Sequence, residues 1–110
     1  MNTRKVYLFF IFMFLAFTGC YKNEPIPTAE FVYAGDNGFK VPCTVMFTNQ
    51  SVNSFSWKWR FGDDSVSTLK EPSHTYTRPG KYDVYLRAYT ESCKEWASVI
   101  KTITIKDTVQ

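Results

Sequence analysis

The chain has 110 residues, enough for one domain at most, and 18% of them are aromatic. The formal charge is +3, but it falls to +1 when Arg4 and Lys5 at the N-terminus are set aside. A protein so close to neutrality has no electrostatic basis for binding nucleic acid, so we expect no nucleic-acid partner.

The N-terminal segment has the organisation of an export signal. Arg4 and Lys5 precede an unbroken apolar run over residues 6–17, and the small residues Thr18 and Gly19 follow it. This order predicts a signal peptide over residues 1–19. The apolar run would extend about 18 Å as a helix, too short for a bilayer core of about 30 Å. A buried core helix is the alternative, but such a helix would need a polar face and this run has none.

The residues at the end of this segment are Phe17, Thr18, Gly19 and Cys20. They resemble the lipobox of bacterial lipoproteins, in which the signal is cut before a cysteine that then receives a diacylglycerol. Phe17 departs from the pattern, since the family prefers Leu or another aliphatic residue there. The resemblance implies that Cys20 is lipidated and that residues 20–27, which have two prolines and no periodicity, form a tether from membrane lipid to the domain. An ordinary secretory signal cut near Gly19, leaving a free Cys20, is the alternative.

Two strands are predicted in the first part of the domain. Residues 28–34 alternate as an edge-like strand, and glycine and asparagine over residues 35–38 predict a turn. The second strand begins at Pro42, where a missing N–H is tolerated. Its inward face is predicted to carry Cys43, Val45 and Phe47.

Residues 55–63, FSWKWRFGD, predict the central strand of the core. Side chains alternate between the two faces of a strand, which places four large rings on one face: Phe55, Trp57, Trp59 and Phe61. Ser56, Lys58 and Arg60 occupy the other face. A turn at Gly62, Asp63 and Asp64 ends the strand.

The second half of the chain predicts the remaining strands. A weak strand over 65–70 and a short one over 73–76 precede a type II turn centred on Pro79 and Gly80. The next strand, over 82–89, turns inward Tyr82, Val84, Leu86 and Ala88. In the last strand, over 96–106, Lys101 interrupts the inward series, so we expect a bulge or register shift near 98–101. Seven short strands and no helix predict an all-β sandwich.

Three segments in the right order resemble the PKD domain, an immunoglobulin-like repeat named after the polycystic kidney disease protein. The family patterns W-x-F-G-D-G, P-x-H-x-Y and G-x-Y-x-V-x-L are matched from Trp59, Pro72 and Gly80 onward, with Asp64 in place of the last glycine of the first. The second strand matches as well, and the likeness covers about residues 28–106. It implies an immunoglobulin-like β-sandwich of about seven strands, over residues 28–107, held by a set of structural motif residues: Trp59, Phe61, Gly62, Asp63, His74, Tyr76, Gly80 and Tyr82. Tyr82 is similar to the tyrosine corner of such sandwiches.

Little in the sequence indicates a catalytic or metal-binding site, so we expect that the protein is not an enzyme and has no cofactor. His74 is the one histidine and has no Cys or carboxylate at ligand spacing, and no hydrolase or phosphate-binding motif is present. Some PKD domains bind calcium with loop carboxylates, which makes Asp63 and Asp64 a weak calcium candidate. Two acids are too few for the six to eight oxygens that calcium takes. Cys43 and Cys93 are a candidate disulfide, but in an immunoglobulin-like sandwich these positions fall at opposite ends.

One face of the predicted sandwich carries rings beside cations. If the central strand, the Tyr82 strand and the last strand share a sheet, their outer face displays Lys58, Arg60, Tyr85, Arg87 and Tyr89, and Trp96 joins from the neighbouring strand or loop. Ordinary cross-strand pairing of tyrosine with arginine on a solvated sheet is the alternative.

The sequence and its resemblances together predict a non-catalytic lipoprotein of the cell envelope. It would face the periplasm or the cell exterior and bind polysaccharide or protein, or act as an adhesion or spacer module. The alternative is a structural accessory subunit of an envelope protein assembly.

Overall fold

The computed structural model of the protein describes residues 24–108. The predicted signal peptide 1–19, the lipidation site Cys20 and the first part of the predicted tether lie outside the described residues. Within 24–108, no helix has the length and apolar character that crossing a membrane requires.

Two antiparallel sheets form the domain. Seven strands are present, in chain order β1 Phe31–Gly35, β2 Cys43–Asn49, β3 Ser56–Arg60, β4 Val66–Ser67, β5 Ser73–Tyr76, β6 Gly80–Tyr89 and β7 Trp96–Ile105. One sheet has the order β1-β2-β5 and the other β4-β3-β6-β7. A 3₁₀ turn at Asn37–Phe39 is the one helical element of the described residues. The architecture confirms the predicted all-β, seven-stranded sandwich.

Aromatic side chains fill the space between the sheets. Trp59 is fully buried, with ring centroids 5.1 Å from Phe31 and 5.3 Å from Phe47. Phe61 is buried beside Trp59 and packs 5.4 Å from Phe47. Alternating residues of β2 and β6 complete the core from both sides, on the faces that the period-two pattern predicts: Cys43, Val45, Phe47, Val84, Leu86 and Ala88.

The aromatic strand is buried over part of its predicted length. Phe55 is 61% exposed, so its predicted place in the core is wrong. The strand begins at Ser56, and the Phe55 N–H donates to the carbonyl of Tyr89, the last residue of β6. Phe55 therefore lies beyond the end of the sandwich, where no facing side chain covers it. Trp57 is half-buried and its ring lies 5.7 Å from the Lys70 ammonium.

Lys101 interrupts the inward series without changing the strand pairing. The register of β6 with β7 runs unbroken from Gly80 opposite Ile105 to Tyr89 opposite Trp96, so the predicted bulge is absent. Because β7 is an edge strand, its inner face opens sideways toward the start of β1. The Lys101 ammonium lies 2.8 Å from the Glu30 carboxylate and donates to the Phe31 carbonyl. The lysine covers the open side of the sandwich and places a charge at the edge of the sheet. A charged edge disfavours strand pairing with another chain.

Two turns contain residues with positive φ, which most L-residues avoid. Gly80 is the first residue of β6, with φ of 150°, rather than the centre of the predicted type II turn, where φ would be about 80°. In the turn after β3, Gly62 has φ of 90° and Asp64 has φ of 73°. Asp64 thus adopts the positive φ that the PKD pattern assigns to glycine, which aspartate tolerates better than most residues.

Candidate functional site

The outer face of the four-stranded sheet carries the predicted binding residues. Lys58 pairs opposite Arg87, Arg60 opposite Tyr85, and Tyr89 opposite Trp96, on the central strands and the neighbouring edge strand. Strand alternation turns all of these side chains away from the core. We call this surface the arginine–aromatic face, defined as Lys58, Arg60, Tyr85, Arg87, Tyr89 and Trp96.

Arg87 organises this face. Its guanidinium carbon lies 4.1 Å from the Trp96 ring centroid and 5.5 Å from that of Tyr85, both within cation–π range. Its Nε and Nη2 donate to the Tyr85 hydroxyl at 3.1 and 2.7 Å, and Nη1 donates to the Tyr89 hydroxyl at 3.4 Å. One guanidinium thus fixes three rings, while Trp96 remains 50% exposed.

The charges of the face favour an incoming ligand with acceptor groups. Hydrogen bonds to Tyr89 and Tyr85 raise the pKa of Arg87, and the bond from Arg87 lowers the pKa of Tyr85. Lys58 stands directly opposite Arg87, and like charges in that position disfavour the pairing. Within residues 24–108 neither Lys58 nor Arg60 has an acidic partner within 4.0 Å. These cations are therefore available to a ligand.

A groove of about 540 Å³ adjoins the rings. Lys58, Arg60 and Tyr85 line it, and Asp64 and Asp83 contribute carboxylates. Donors and acceptors thus lie within one open depression beside the half-buried Tyr85 ring. This combination suits a ligand that is rich in hydroxyl groups.

Asp63 and His74 form a hydrogen-bonded clasp between the two sheets. His74 Nε2 lies 2.7 Å from Asp63 Oδ2, and the Ser65 N–H donates to Asp63 Oδ1 at 3.2 Å. The imidazole stacks on Phe61 with centroids 4.4 Å apart and planes 5° apart. Partial burial opposes ionisation of Asp63, but the hydrogen bonds of His74 and Ser65 outweigh it and lower the pKa of this carboxyl.

Two tyrosine hydroxyls tie turns to the core. Tyr76 is buried and donates to the Phe61 carbonyl at 2.8 Å, and burial raises the pKa of Tyr76 far above its usual range. Tyr82 is half-buried and donates at 2.6 Å to the carbonyl of Arg78, four residues upstream. The second contact has the arrangement of a tyrosine corner.

Comparison with known proteins identifies the family. The PKD domain model matches residues 22–105. The chain belongs to the PKD-domain family. Solved structures agree: the PKD1 domain of Vibrio anguillarum Epp has 25% identity and a TM-score of 0.65 over 76% of this chain and 98% of its own. The PKD1 domain of the Vibrio cholerae metalloprotease PrtV has 26% identity and a TM-score of 0.64 over 74% and 99%.

Further comparisons define how far the likeness extends. A structure of carbohydrate-binding modules of the β-sandwich superfamily has 22% identity and a TM-score of 0.68, over 77% of this chain and 36% of that one, and so shares the fold. No curated protein matches the chain. PKD domains are generally non-catalytic modules and are typically extracellular.

The hydrogen-bonded clasp of Asp63 and His74 is expected to make the stability of the domain depend on pH. We expect Asp63→Asn to lower the free energy of unfolding by about 1 kcal/mol at neutral pH, because a partly exposed charge-assisted hydrogen bond is weakened. The folded-state pKa of Asp63 lies below its unfolded value, so its contribution is complete above about pH 4 and is lost as the pH falls through the folded pKa. Urea unfolding of both proteins at stepped pH measures this. A difference that stays constant into strong acid would contradict the assignment.

Among residues 24–108, neither a group of metal-ligating side chains nor a bond between the two candidate cysteines is found. Within residues 24–108 no three His, Cys, Asp or Glu side chains are grouped as metal ligands, and the Asp63 carboxylate is already bonded to His74. Cys43 and Cys93 are both free, so the candidate disulfide is not formed. Cys43 is buried with its Sγ donating to the Asp36 carbonyl at 3.3 Å, and burial raises the pKa of its thiol. Cys93 is exposed in the loop between β6 and β7, at the opposite end of the sandwich.

A contact at the start of the PKD domain was not predicted from the sequence. The Glu24 carboxylate accepts hydrogen bonds from the Ser92 hydroxyl at 2.5 Å and the Ser92 N–H at 3.1 Å, and the hydroxyl bond in particular lowers the pKa of Glu24. Asn53 Nδ2 donates to the Ile26 carbonyl at 3.1 Å. Residues 24–27, predicted as the end of the tether, therefore lie against the domain. No local pattern indicates a partner 68 residues away.

Proposed function

We propose that this protein is a non-catalytic, lipid-anchored PKD module of the bacterial cell envelope that binds polysaccharide. The observation that supports this most is the arginine–aromatic face, in which Arg87 holds three rings beside Lys58 and Arg60. A sheet does not need such an array of fixed rings and unneutralised cations in order to form. The array also places like charges opposite each other, which disfavours the pairing.

The chemistry of the face suits sugars. The Trp96 side chain is half exposed, and the face of its ring that Arg87 does not cover can stack against the C–H face of a pyranose, while fixed donors and acceptors nearby bond the sugar hydroxyls. The adjoining groove is open and lengthens the surface toward Asp64 and Asp83. The structure of carbohydrate-binding modules shares only the fold with this chain, so the ligand assignment here depends on the face itself.

The membrane anchor in this proposal depends on Cys20. Its support is the sequence resemblance of residues 17–20 to a lipobox, together with the apolar run that precedes them. Acyl chains on the cysteine thiol and amine would hold the module at a membrane surface, since each buried CH₂ contributes about 0.8 kcal/mol. The intact mass of the protein extracted from bacterial membranes would exceed that of the unmodified chain by the mass of the acyl groups.

A glycan panel tests the binding function. We expect the purified protein to bind at least one polysaccharide of the panel, and Tyr85→Ala with Tyr89→Ala to weaken that binding about 10- to 100-fold, because two ring contacts and two hydroxyl partners of Arg87 are removed. The control is Phe55→Ala, which removes an exposed ring outside the face. Melting temperatures of all three proteins should agree within a few degrees. Binding that the double variant retains in full would reject the face as the site.

A second candidate function is that of an accessory subunit in an envelope assembly. The outer face of the β1-β2-β5 sheet favours it, because none of its outward side chains is charged: Val32, Ala34, Thr44, Met46, Thr48, Ser73 and Thr75. Depletion of charge is typical of the centre of a protein–protein interface. A pull-down from solubilised membranes that recovers a stoichiometric protein, and loses it on Met46→Lys, would favour this role over polysaccharide binding.

A further inference from the structure

Three apolar side chains are exposed together at one end of the sandwich. Ile26 is 79%, Val52 54% and Phe55 61% exposed. Backbone hydrogen bonds between Thr28 and Val52, and the Asn53 bond to the Ile26 carbonyl, hold together the two segments that carry Ile26 and Val52. Phe55 lines a groove together with Glu24 and Pro25 at the same end. We call this surface the apolar end, defined as Ile26, Val52 and Phe55.

The apolar end lies where the chain enters the domain from its N-terminal side. Cys20 precedes Glu24 by four residues, and four residues span at most about 14 Å even when fully extended. Glu24 is held in turn by two hydrogen bonds to Ser92. A group attached to Cys20 therefore stays within about 14 Å of this end of the sandwich and cannot reach the opposite end, because a ten-residue strand such as β6 is about 33 Å long.

We propose that the apolar end rests on the membrane that holds Cys20, with its side chains in the interfacial layer. This inference depends on the lipid anchor of the proposed function and adds the orientation of the domain. Exposed apolar side chains leave water on entering that layer. A short attachment makes the contact intramolecular, so the lipid surface is present at a high effective concentration and even a weak contact is populated.

Charged groups near the apolar end set how the contact is made. Glu24 and Glu91 line the groove beside Phe55, so two carboxylates adjoin the apolar end. The carboxylates limit the depth to the interface and are repelled by anionic headgroups. The contact is therefore expected to be strongest on zwitterionic vesicles and weaker on anionic ones.

The orientation leaves the arginine–aromatic face accessible. The strands run away from the apolar end, because Tyr89 and Trp96 lie near it and Arg60 and Tyr85 lie farther along the sheet. The face therefore stands on the side of the domain rather than beneath it. A polysaccharide that runs along the membrane surface could then contact Trp96 first.

Cys93 provides a native probe for this orientation. Its thiol is exposed and lies beside Ser92, which bonds Glu24, whereas Cys43 is buried and Cys20 carries the lipid in this account. We expect a bulky polyethylene-glycol maleimide to label Cys93 about tenfold more slowly on phosphatidylcholine vesicles carrying the full-length lipidated protein than in a variant whose apolar end is removed, because labelling requires the minor, lifted state.

The variant is Ile26→Ser with Val52→Ser and Phe55→Ser, and the matched control removes three equally exposed apolar side chains elsewhere, by Met46→Ser with Val66→Ser and Leu69→Ser. The first should restore fast labelling and the second should not. Phe55→Ser alone, which should give an intermediate rate, replaces the triple variant if its melting temperature drops.

The possible failures are distinguishable by mass and by rate. Equal labelling of the wild type and the apolar-end variant, both carrying the acyl mass, would overturn the orientation and leave the anchor intact. A protein without the acyl mass would overturn the anchor and the orientation with it. A labelling rate that falls further as the protein density on the vesicles rises would mean that a second copy covers this end, which also overturns the proposal.

Discussion

Trp59→Ala is expected to lower the free energy of unfolding by about 3–5 kcal/mol. The side chain is fully buried against Phe31 and Phe47, so truncation leaves a cavity bordered by these two rings of the opposite sheet. The Leu69 carbonyl also loses the hydrogen bond that the indole donates at 2.9 Å. Urea unfolding followed by circular dichroism measures the change.

Phe55→Ala is the control for that experiment. Phe55 belongs to the same aromatic pattern, but its ring is exposed, so we expect its removal to change the free energy of unfolding by no more than about 0.5 kcal/mol. Equal losses at Phe55 and Trp59 would mean that the strand is not buried as described.

Gly62→Ala has the second largest expected effect, about 2–4 kcal/mol of lost stability. Gly62 has φ of 90°, a backbone region that residues with a Cβ rarely adopt. An added Cβ would lie 3.0 Å from both the backbone nitrogen and the backbone oxygen of Asp83. Backbone atoms of β6 cannot move aside without disturbing its pairing, so strain and crowding act together. Thermal and urea unfolding both report the loss.

Gly38→Ala separates those two causes. Gly38 also has positive φ, of 60°, but an added Cβ there meets nothing within 4 Å. We expect a loss of about 1 kcal/mol, from backbone strain alone. If Gly38→Ala and Gly62→Ala lower the free energy of unfolding equally, the close approach to Asp83 contributes nothing to the loss.

Period-two alternation predicted most of the fold because both sheets are buried on one face. Val45 and Phe47 in β2, and Val84 and Leu86 in β6, lie where the pattern places them. The pattern does not encode how far the opposite sheet extends, which is why Phe55 was assigned to the core. Nor does it encode which strand is at an edge, and an edge strand lets Lys101 point inward and still reach Glu30.

The candidate face could be listed from the sequence, but its geometry could not. Alternation and the assumed order of three strands place Arg60, Tyr85 and Arg87 together. The stacking of Arg87 on Trp96 depends on the register of β6 with β7, which no local pattern fixes. The bond between Glu24 and Ser92 joins residues far apart in the chain and likewise had no signal.

The most direct test of the binding account uses the indole N–H signals in a nitrogen–proton correlation spectrum. Trp59 and Trp57 donate their indole N–H groups to Leu69 and Ser54 within the fold, whereas the Trp96 ring is half exposed on the arginine–aromatic face. Titration with a polysaccharide that binds should shift the Trp96 indole signal and leave the other two unchanged. Saturation with an unmoved Trp96 signal, or with shifts confined to the outer face of the β1-β2-β5 sheet, would contradict the account.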